Sequence, residues 1–179
     1  MIKKRRQRND RLAFTLFEVI IVLVLVCVTV YSCRSLYRLY AVIAVRSATD
    51  QLVAVGTYLE QCALSKQVST YFLIDSDRSY RVYDGTKELV YSLPAGVTWG
   101  VIPGLYGPPS SPRKLVTQPV VGGYKVGEES GVAWDATGAA TPATCYIKNG
   151  STCGACSVSR SIVGGVTGWM CVNHQWVRR

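Results

Sequence analysis

The hydrophobic pattern along the chain changes character twice. An unbroken apolar stretch, LAFTLFEVIIVLVLVCVTVYSC, covers residues 12–33. Its roughly 20 residues are enough for a helix that crosses a bilayer core. Over residues 34–66 apolar residues instead recur every three or four positions, which predicts an amphipathic helix. The stripe consists of Val42, Val45, Ala48, Leu52, Val55, Leu59 and Cys62. With no Pro or Gly before Gly56, one helix is predicted over residues 14–66.

After Ser69 the helical pattern gives way to short β-rich runs separated by turn residues. These runs predict an antiparallel sheet that packs on the helix, with the first strands as a meander. The segment PGLYGPPSSP at 103–112 is predicted as an exposed loop, because four prolines and two glycines disfavour helix and strand. The predicted strands are TYFLI, SYRVY, ELVYSL, GVTWGVI, KLVTQPVV, GVAWD, TCYI, SVSRSIV and WMCVNHQWV. The fold class is therefore α+β.

Much of the net charge of +9 lies in front of the apolar stretch. Residues 1–13 carry six Lys and Arg side chains against Asp10 alone. This excess places the N-terminus in the cytoplasm and the chain beyond Arg34 outside. The apolar stretch ends in Tyr31, Ser32 and Cys33 with Arg34 next, rather than in an A-x-A-like cleavage site, which argues against a cleaved secretory signal. The charge therefore reports membrane topology more than a nucleic-acid surface.

An acidic residue, Glu18, interrupts the apolar stretch near its start. A carboxylate within a membrane helix costs several kcal/mol, so such a residue is a functional candidate. Together, the basic leader and the motif Phe14-Thr15-Leu16-Phe17-Glu18 resemble the signal of type IV prepilins and type II secretion pseudopilins.

The resemblance implies a pilin-like fold, with a long helix whose first half spans the membrane. It also implies that a prepilin peptidase cuts between Ala13 and Phe14 and methylates the Phe14 amine. Glu18 would then pair with the Phe14 amine of a neighbouring subunit and set the register of assembly. The chain departs from the family in carrying Ala13 where Gly is usual, and Ser35 where many major pilins carry Pro. The domains are the leader (1–13), the membrane half (14–33) and the amphipathic half (34–66) of the helix, and an extracytoplasmic β-rich domain (67–179).

Three later segments resemble the GspH/FimT group of minor pseudopilins. These are LVYSLPAGVT at 89–98, VAWDATG at 132–138 and the terminal strand pair that ends at Arg179. The resemblance implies a minor pseudopilin of a type II secretion system, a single-pass protein of the inner membrane. The alternative is a minor type IV pilin of the FimT kind, in pilus assembly or DNA uptake. The implied partners are prepilin peptidase, other pilin subunits, the inner membrane, and a secreted substrate or DNA.

Four of the seven cysteines cluster in the last third of the chain: Cys145, Cys153, Cys156 and Cys171. An oxidising compartment favours disulfides, for which three pairings exist, as a staple across a hairpin at about 143–173. Free thiols and a metal site are the alternatives, although a zinc site usually has two C-x-x-C pairs and only one is present. Thioredoxin-like activity is disfavoured because Cys153-Gly-Ala-Cys156 is predicted to lie in a Gly/Ser-rich turn.

Sequence motifs of enzymes are missing: there is no G-x-S-x-G, Walker loop or H-E-x-x-H. We therefore expect no catalytic residues, no cofactor and no metal. His174 is predicted as a surface residue in a strand. The cations Lys148, Arg160, Arg178 and Arg179 near the terminal hairpin are candidates for contacts with DNA phosphates. A solvated basic edge that prevents aggregation of the last strand is the alternative.

Overall fold

The computed structural model describes residues 16–109, 115–159, 165–172 and 174–179. These residues form one α-helix and eleven β-strands. They divide between Arg38 and Leu39 into two compact units. The helix, α1, is Leu16–Lys66 and ends where the sequence predicts. Gln67 follows it with a φ of +55°, a left-handed conformation that stops helical hydrogen bonding.

In the first unit, every described residue of α1 is exposed. The side chains are apolar on all sides of the helix from Leu16 to Val30, apart from a few polar positions such as Glu18. This helix is long and apolar enough to cross a membrane, with a mean hydropathy of 2.6 in its most apolar window. The length and the composition are those of a membrane-spanning segment.

In the second unit, α1 has one buried side, as the amphipathic pattern predicts. The prediction was wrong at Val42, which is 42% exposed, while Val55 is only half-buried. The buried side contains more small and polar residues than hydrophobicity alone indicates, because the helix lies very close to the sheet. Its buried residues are Ala41, Ala44, Val45, Ala48, Thr49, Leu52, Gly56, Leu59, Cys62 and Ala63.

The strands form two antiparallel sheets where the sequence pattern predicted one. The first sheet has the order β3-β2-β1-β7-β6, so its first three strands form the predicted meander. It comprises β1 (Thr70–Ile74), β2 (Ser79–Tyr83), β3 (Glu88–Ser92), β6 (Tyr124–Val126) and β7 (Glu129–Trp134). The second sheet has the order β11-β10-β9-β8-β4, with β5 also paired to β8. It comprises β4 (Thr98–Trp99), β5 (Val120–Gly122), β8 (Ala143–Asn149), β9 (Thr152–Val158), β10 (Val166–Val172) and β11 (Gln175–Arg178).

Two apolar clusters hold the second unit together. The larger one lies between α1 and both sheets and includes Leu59, Val82 and Trp134. A smaller cluster lies on the far face of the second sheet, the face turned away from α1. It contains Leu105, so the loop predicted to be exposed at 103–112 is partly buried: Leu105 is 3% exposed and Pro108 is also buried. Residues 110–112 of that loop lie outside the described residues.

Candidate functional site

The residues predicted for processing and assembly lie at the start of the chain. Ala13 and Phe14, the predicted cleavage and methylation positions, fall outside the described residues. Glu18 lies in the first turn of α1 and is exposed, beside Leu16 and Phe17.

Close contact between α1 and the second sheet depends on glycine. A Cβ atom on Gly154 of β9 would lie 2.4 Å from Thr49 Oγ1 and 3.0 Å from Val45 Cγ1. On the neighbouring strand, a Cβ on Gly168 would lie 3.1 Å from Thr49 Cγ2. The Thr49 hydroxyl is buried and donates a hydrogen bond of 2.9 Å to the Val45 carbonyl. The absence of side chains at these two glycines therefore lets the helix backbone lie close to the strands.

Asp84 joins the C-terminal end of α1 to the turn between β2 and β3. Its Oδ1 accepts hydrogen bonds from the backbone N–H of Thr86 at 2.8 Å and of Lys87 at 3.0 Å. Lys66 Nζ lies 3.6 Å from the same oxygen, and the Tyr58 hydroxyl lies 3.2 Å from Oδ2. The backbone hydrogen bonds, with help from Lys66, lower the pKa of Asp84 to about 2.

The far end of the chain is also tied to α1. Arg179 Nη2 lies 2.8 Å from Asp50 Oδ2, and the Arg179 backbone N–H donates to the Gly168 carbonyl at 2.9 Å. Side chains of consecutive strand residues point to opposite faces, so Arg178 lies on the far face of the second sheet. In the strand register, Arg178 of β11 lies opposite Trp169 of β10, a residue of the far-face cluster, and Arg178 is exposed.

The four candidate DNA-contacting residues do not form one surface. Lys148 lies on β8 opposite Cys153, on the same far face as Arg178. Three strand spacings, about 14 Å, separate β8 from β11. Arg179 faces α1 and is paired with Asp50, while Arg160 lies outside the described residues.

The C-x-x-C motif lies in a strand, so its prediction as part of a Gly/Ser-rich turn was wrong. Cys153 and Cys156 both belong to β9, whereas the strand predicted at 157–163 ends at Val158 in the structure. Residues three apart in a strand point to opposite faces. Cys156 accordingly lies in the cluster under α1 and Cys153 in the far-face cluster. The two thiols therefore cannot close a disulfide with each other or bind one metal ion.

Strand register pairs each of these cysteines with another one. Cys145 of β8 is directly opposite Cys156, and Cys171 of β10 is directly opposite Cys153. All four are thiols in the structure. The sequence contains a signal for the first pair that we missed: Gly150-Ser151 is a two-residue hairpin turn with Gly in its first position. Counting outward from it pairs Asn149 with Thr152 and places Cys145 opposite Cys156.

Two titratable residues of the second unit, His174 and Asp135, lie in turns. His174 has a φ of +61° and lies exposed in the turn between β10 and β11, so its prediction as a strand residue was wrong. Asp135 Oδ1 accepts hydrogen bonds from the Thr137 hydroxyl and the backbone N–H groups of Thr137 and Ala139, which lowers its pKa. This is the D-x-x-G turn that the resemblance predicts. Among the described residues, no group of three or more His, Cys, Asp or Glu side chains is placed to hold a metal ion.

The outer face of the first sheet carries a tyrosine stack, a group of ion pairs and an open cleft. Tyr71 and Tyr83 stack there with ring centroids 5.1 Å apart. Beside them, Arg81 forms ion pairs with Asp75, Glu88 and Glu129. An open cleft of about 450 Å³ adjoins the stack and is lined in part by Tyr71, Tyr124, Trp134 and Asp135. The cleft is open to solvent and suits a surface contact better than an enclosed ligand.

The fold and these contacts are the basis for a functional proposal. The chain matches no protein-family model, no curated protein and no solved structure.

Proposed function

We propose that the protein is a minor pseudopilin, a structural subunit of a type II secretion pseudopilus in the inner membrane. The observation that carries the proposal is the change in exposure along α1. Residues 16–40 are exposed throughout, and from Ala41 the helix has one buried side against the sheets. The first part of such a helix needs lipid or other helices around it, and its second part packs on a folded domain. A pilin has this arrangement.

Two turns of the second unit support the GspH/FimT assignment. After β3, the Val97 backbone N–H donates to the Pro94 carbonyl at 3.1 Å, and Gly96 has a φ of +78°. This is a tight turn leading to β4, at the place of the L-P-x-G-V turn of that group. The D-x-x-G turn after β7 supplies the second match.

Glu18 is the assembly residue in this proposal. After cleavage it is the fifth residue of the mature chain, and in the filament it faces the methylated Phe14 amine of the neighbouring subunit. In a low-dielectric environment such a charge pair fixes axial register, because any shift leaves one charge buried without its partner. Packing of the exposed apolar helices supplies the remaining free energy of assembly.

Mass spectrometry of the N-terminus tests the proposal. The full chain is produced in a bacterium that has a prepilin peptidase and in a matched strain that lacks it, and membrane fractions are compared. We expect a chain that begins at N-methylated Phe14 in the first strain and at Met1 in the second. The peptidase must recognise the residues at the cleaved bond, where Ala13 is small. The substitution Ala13→Arg is therefore expected to prevent cleavage and to leave Met1 in place in both strains.

Intact Met1 in the membrane fraction of the peptidase-containing strain would contradict the proposal. The chain would then be an ordinary single-pass anchored protein. A cleaved but unmethylated terminus at any position other than Phe14 would contradict it equally, since a different peptidase would be acting.

DNA uptake by a minor type IV pilin is the second candidate function. The observation in its favour is that Lys148 and Arg178 lie on one face of the second sheet. The pairing of Arg179 with Asp50 weakens it, because that guanidinium is already bound to a carboxylate. The structural role in secretion is therefore the preferred proposal.

A further inference from the structure

The four clustered cysteines occupy the three central strands of the second sheet. Cys145 lies on β8, Cys153 and Cys156 on β9, and Cys171 on β10. They form two directly opposed pairs, Cys145 with Cys156 and Cys153 with Cys171. One pair lies under α1 and the other on the far face. Of the three ways to join four cysteines, only this one joins thiols that share a face.

The backbone of β8 shows which kind of ladder position Cys145 occupies. The Tyr146 N–H donates to the Pro119 carbonyl, and the Tyr146 carbonyl accepts from the Gly100 N–H, both on the side away from β9. Successive residues of a strand direct these groups to alternate sides, so those of Cys145 point to β9. On β10, the Gly168 carbonyl accepts a hydrogen bond from the backbone N–H of Arg179, the residue after β11, so Gly168 directs its backbone groups toward β11. Cys171 is three residues further along β10, so by the same alternation its N–H and carbonyl point to β9. Both cysteine pairs are therefore hydrogen-bonded pairs.

Distances at such positions permit a disulfide after a small local movement. Opposed Cα atoms of a hydrogen-bonded pair are about 5.5 Å apart, within the disulfide range of about 4.4–6.8 Å. The Cβ atoms, about 5.5 Å apart in such pairs, must approach to about 4 Å, so the strands narrow locally. A bond that holds strands in a narrowed pair is reduced more readily than a relaxed one.

We propose that the chain carries two cross-strand disulfides, Cys145–Cys156 and Cys153–Cys171, one on each face of the second sheet. For each bond, two thiols release two protons and two electrons to the disulfide of a thiol–disulfide oxidoreductase, which becomes a dithiol. The compartment in which this happens rests on the proposed function, because only a domain outside the cytoplasm meets such an oxidant routinely. The register that selects the partners is independent of the proposed function.

Burial limits when the bonds form. Cys153 is 0% exposed and Cys156 is 6% exposed, and burial raises the pKa of each thiol to about 12. The thiolate is the reacting species, so both thiols are nearly inert once the strands have closed. Oxidation therefore accompanies folding, and the bonds are shielded from exchange afterwards.

Peptide mapping of the full chain tests the pairing, in a background where Cys27, Cys33 and Cys62 are alanine. Cells are treated with an alkylating reagent at harvest, and the protein is purified from membranes in detergent. A second sample is reduced, unfolded and refolded with reduced and oxidised glutathione, which supplies the oxidant without any cell compartment. Trypsin cuts after Lys148 and Arg160, so Cys145, the Cys153–Cys156 motif and Cys171 fall on three peptides. We expect these three to remain joined, with no alkylated cysteine and the loss of two hydrogens for each bond.

Double variants distinguish the pairings. Removal of one proposed pair, by Cys145→Ser with Cys156→Ser or by Cys153→Ser with Cys171→Ser, is expected to leave the other bond intact. The matched controls also remove two cysteines but leave thiols on opposite faces. They are Cys145→Ser with Cys171→Ser, and Cys153→Ser with Cys156→Ser, and we expect two alkylated thiols in each. Fragmentation of the three joined peptides from the chain with all four cysteines gives the same answer if a variant fails to fold.

Each result has one consequence. A bond between Cys153 and Cys156 or between Cys145 and Cys171 overturns the pairing. A bond between Cys145 and Cys153 or between Cys156 and Cys171 overturns it as well. Four alkylated cysteines in the glutathione sample also overturn it. The proposed pairs in the glutathione sample together with free thiols in cells support the pairing, and they overturn the extracytoplasmic location in the proposed function instead.

Discussion

Asp84 shows how single residues hold the end of α1 to the first sheet. Its carboxylate accepts two backbone hydrogen bonds from its own turn while it contacts Lys66 and the Tyr58 hydroxyl on the helix. Arg179, the last residue, binds Asp50 on the helix. Each contact joins residues far apart in sequence, so the helix in the second unit is fixed at two places by charged hydrogen bonds.

The Asp84 contacts predict a dependence of stability on pH. The pKa of about 2 in the folded chain lies below the ordinary value of an aspartate, so the carboxylate stabilises the folded state at neutral pH. That contribution is complete above about pH 4 and is lost as the pH falls to about 2. We expect Asp84→Asn to lower the thermal unfolding midpoint at neutral pH and to flatten the midpoint's decline over this range.

Circular dichroism of the full chain in detergent measures these midpoints. Asp77→Asn, in the exposed turn between β1 and β2, is the matched control and should follow the unsubstituted chain. An Asp84→Asn variant with an unchanged pH profile would show that the contacts of Asp84 do not favour its ionised form.

At the scale of elements, the contact between α1 and the second sheet depends on small residues. Gly154 and Gly168 of the sheet face Thr49 of the helix, and Gly56 of the helix faces Val166 of β10. Interiors are packed at crystal-like density, so an added methyl group at such a contact forces the backbone to move. The close approach also explains why the buried side of the helix includes alanine, threonine and glycine rather than large apolar residues alone.

The Gly154 contact predicts coupling between the helix and β9. Gly154→Ala places a Cβ 2.4 Å from Thr49 Oγ1 and is expected to destabilise the second unit by about 1–3 kcal/mol. Thr49→Ala removes the obstructing atom, so the same glycine substitution should cost clearly less in that background.

Urea unfolding followed by tryptophan fluorescence measures this double-mutant cycle, since all four tryptophans lie in the second unit. Strictly additive effects of the two substitutions would contradict a direct contact between Thr49 and Gly154.

At the scale of the whole molecule, the net charge of +9 is distributed very unevenly. Six of the twenty Lys and Arg residues precede the long apolar segment of the chain. In the second unit, Arg81 lies among three carboxylates and Arg179 is bound to Asp50. Phosphate binding requires cations gathered on one surface, and the described part of the terminal hairpin presents only Arg178 with Lys148 at a distance.

This distribution predicts that the protein does not capture DNA. The full chain in lipid nanodiscs is expected to leave double-stranded DNA unshifted in a gel at low salt, as are Arg178→Ala and Arg179→Ala. A shift that is lost with Arg178→Ala, kept with Arg179→Ala and weakened by salt would contradict this prediction and favour the DNA-uptake alternative.

Local pattern was sufficient for several elements of the fold. The end of α1 at Lys66 and the meander of β1 to β3 follow from neighbouring residues, and the turn at Asp135 lies where the resemblance implies it. Helical periodicity, turn residues and capping are interactions over a few positions, so the sequence displays them directly. The hairpin turn at Gly150-Ser151 belongs to the same class, although the strand after it begins at Thr152, earlier than predicted.

Composition and local pattern were thus enough to predict a long apolar helix, a β-rich second unit and a cluster of four cysteines in the last third of the chain. Three features became visible only in the folded chain: the division of the strands into two sheets, the opposite faces of Arg178 and Arg179, and the position of Cys153 opposite Cys171. The chain between β9 and β10 is longer than a tight hairpin turn, so its length does not specify which residues of the two strands lie opposite each other. The register of β9 and β10 depends on which of their side chains pack against α1, and this packing forms only when the chain folds.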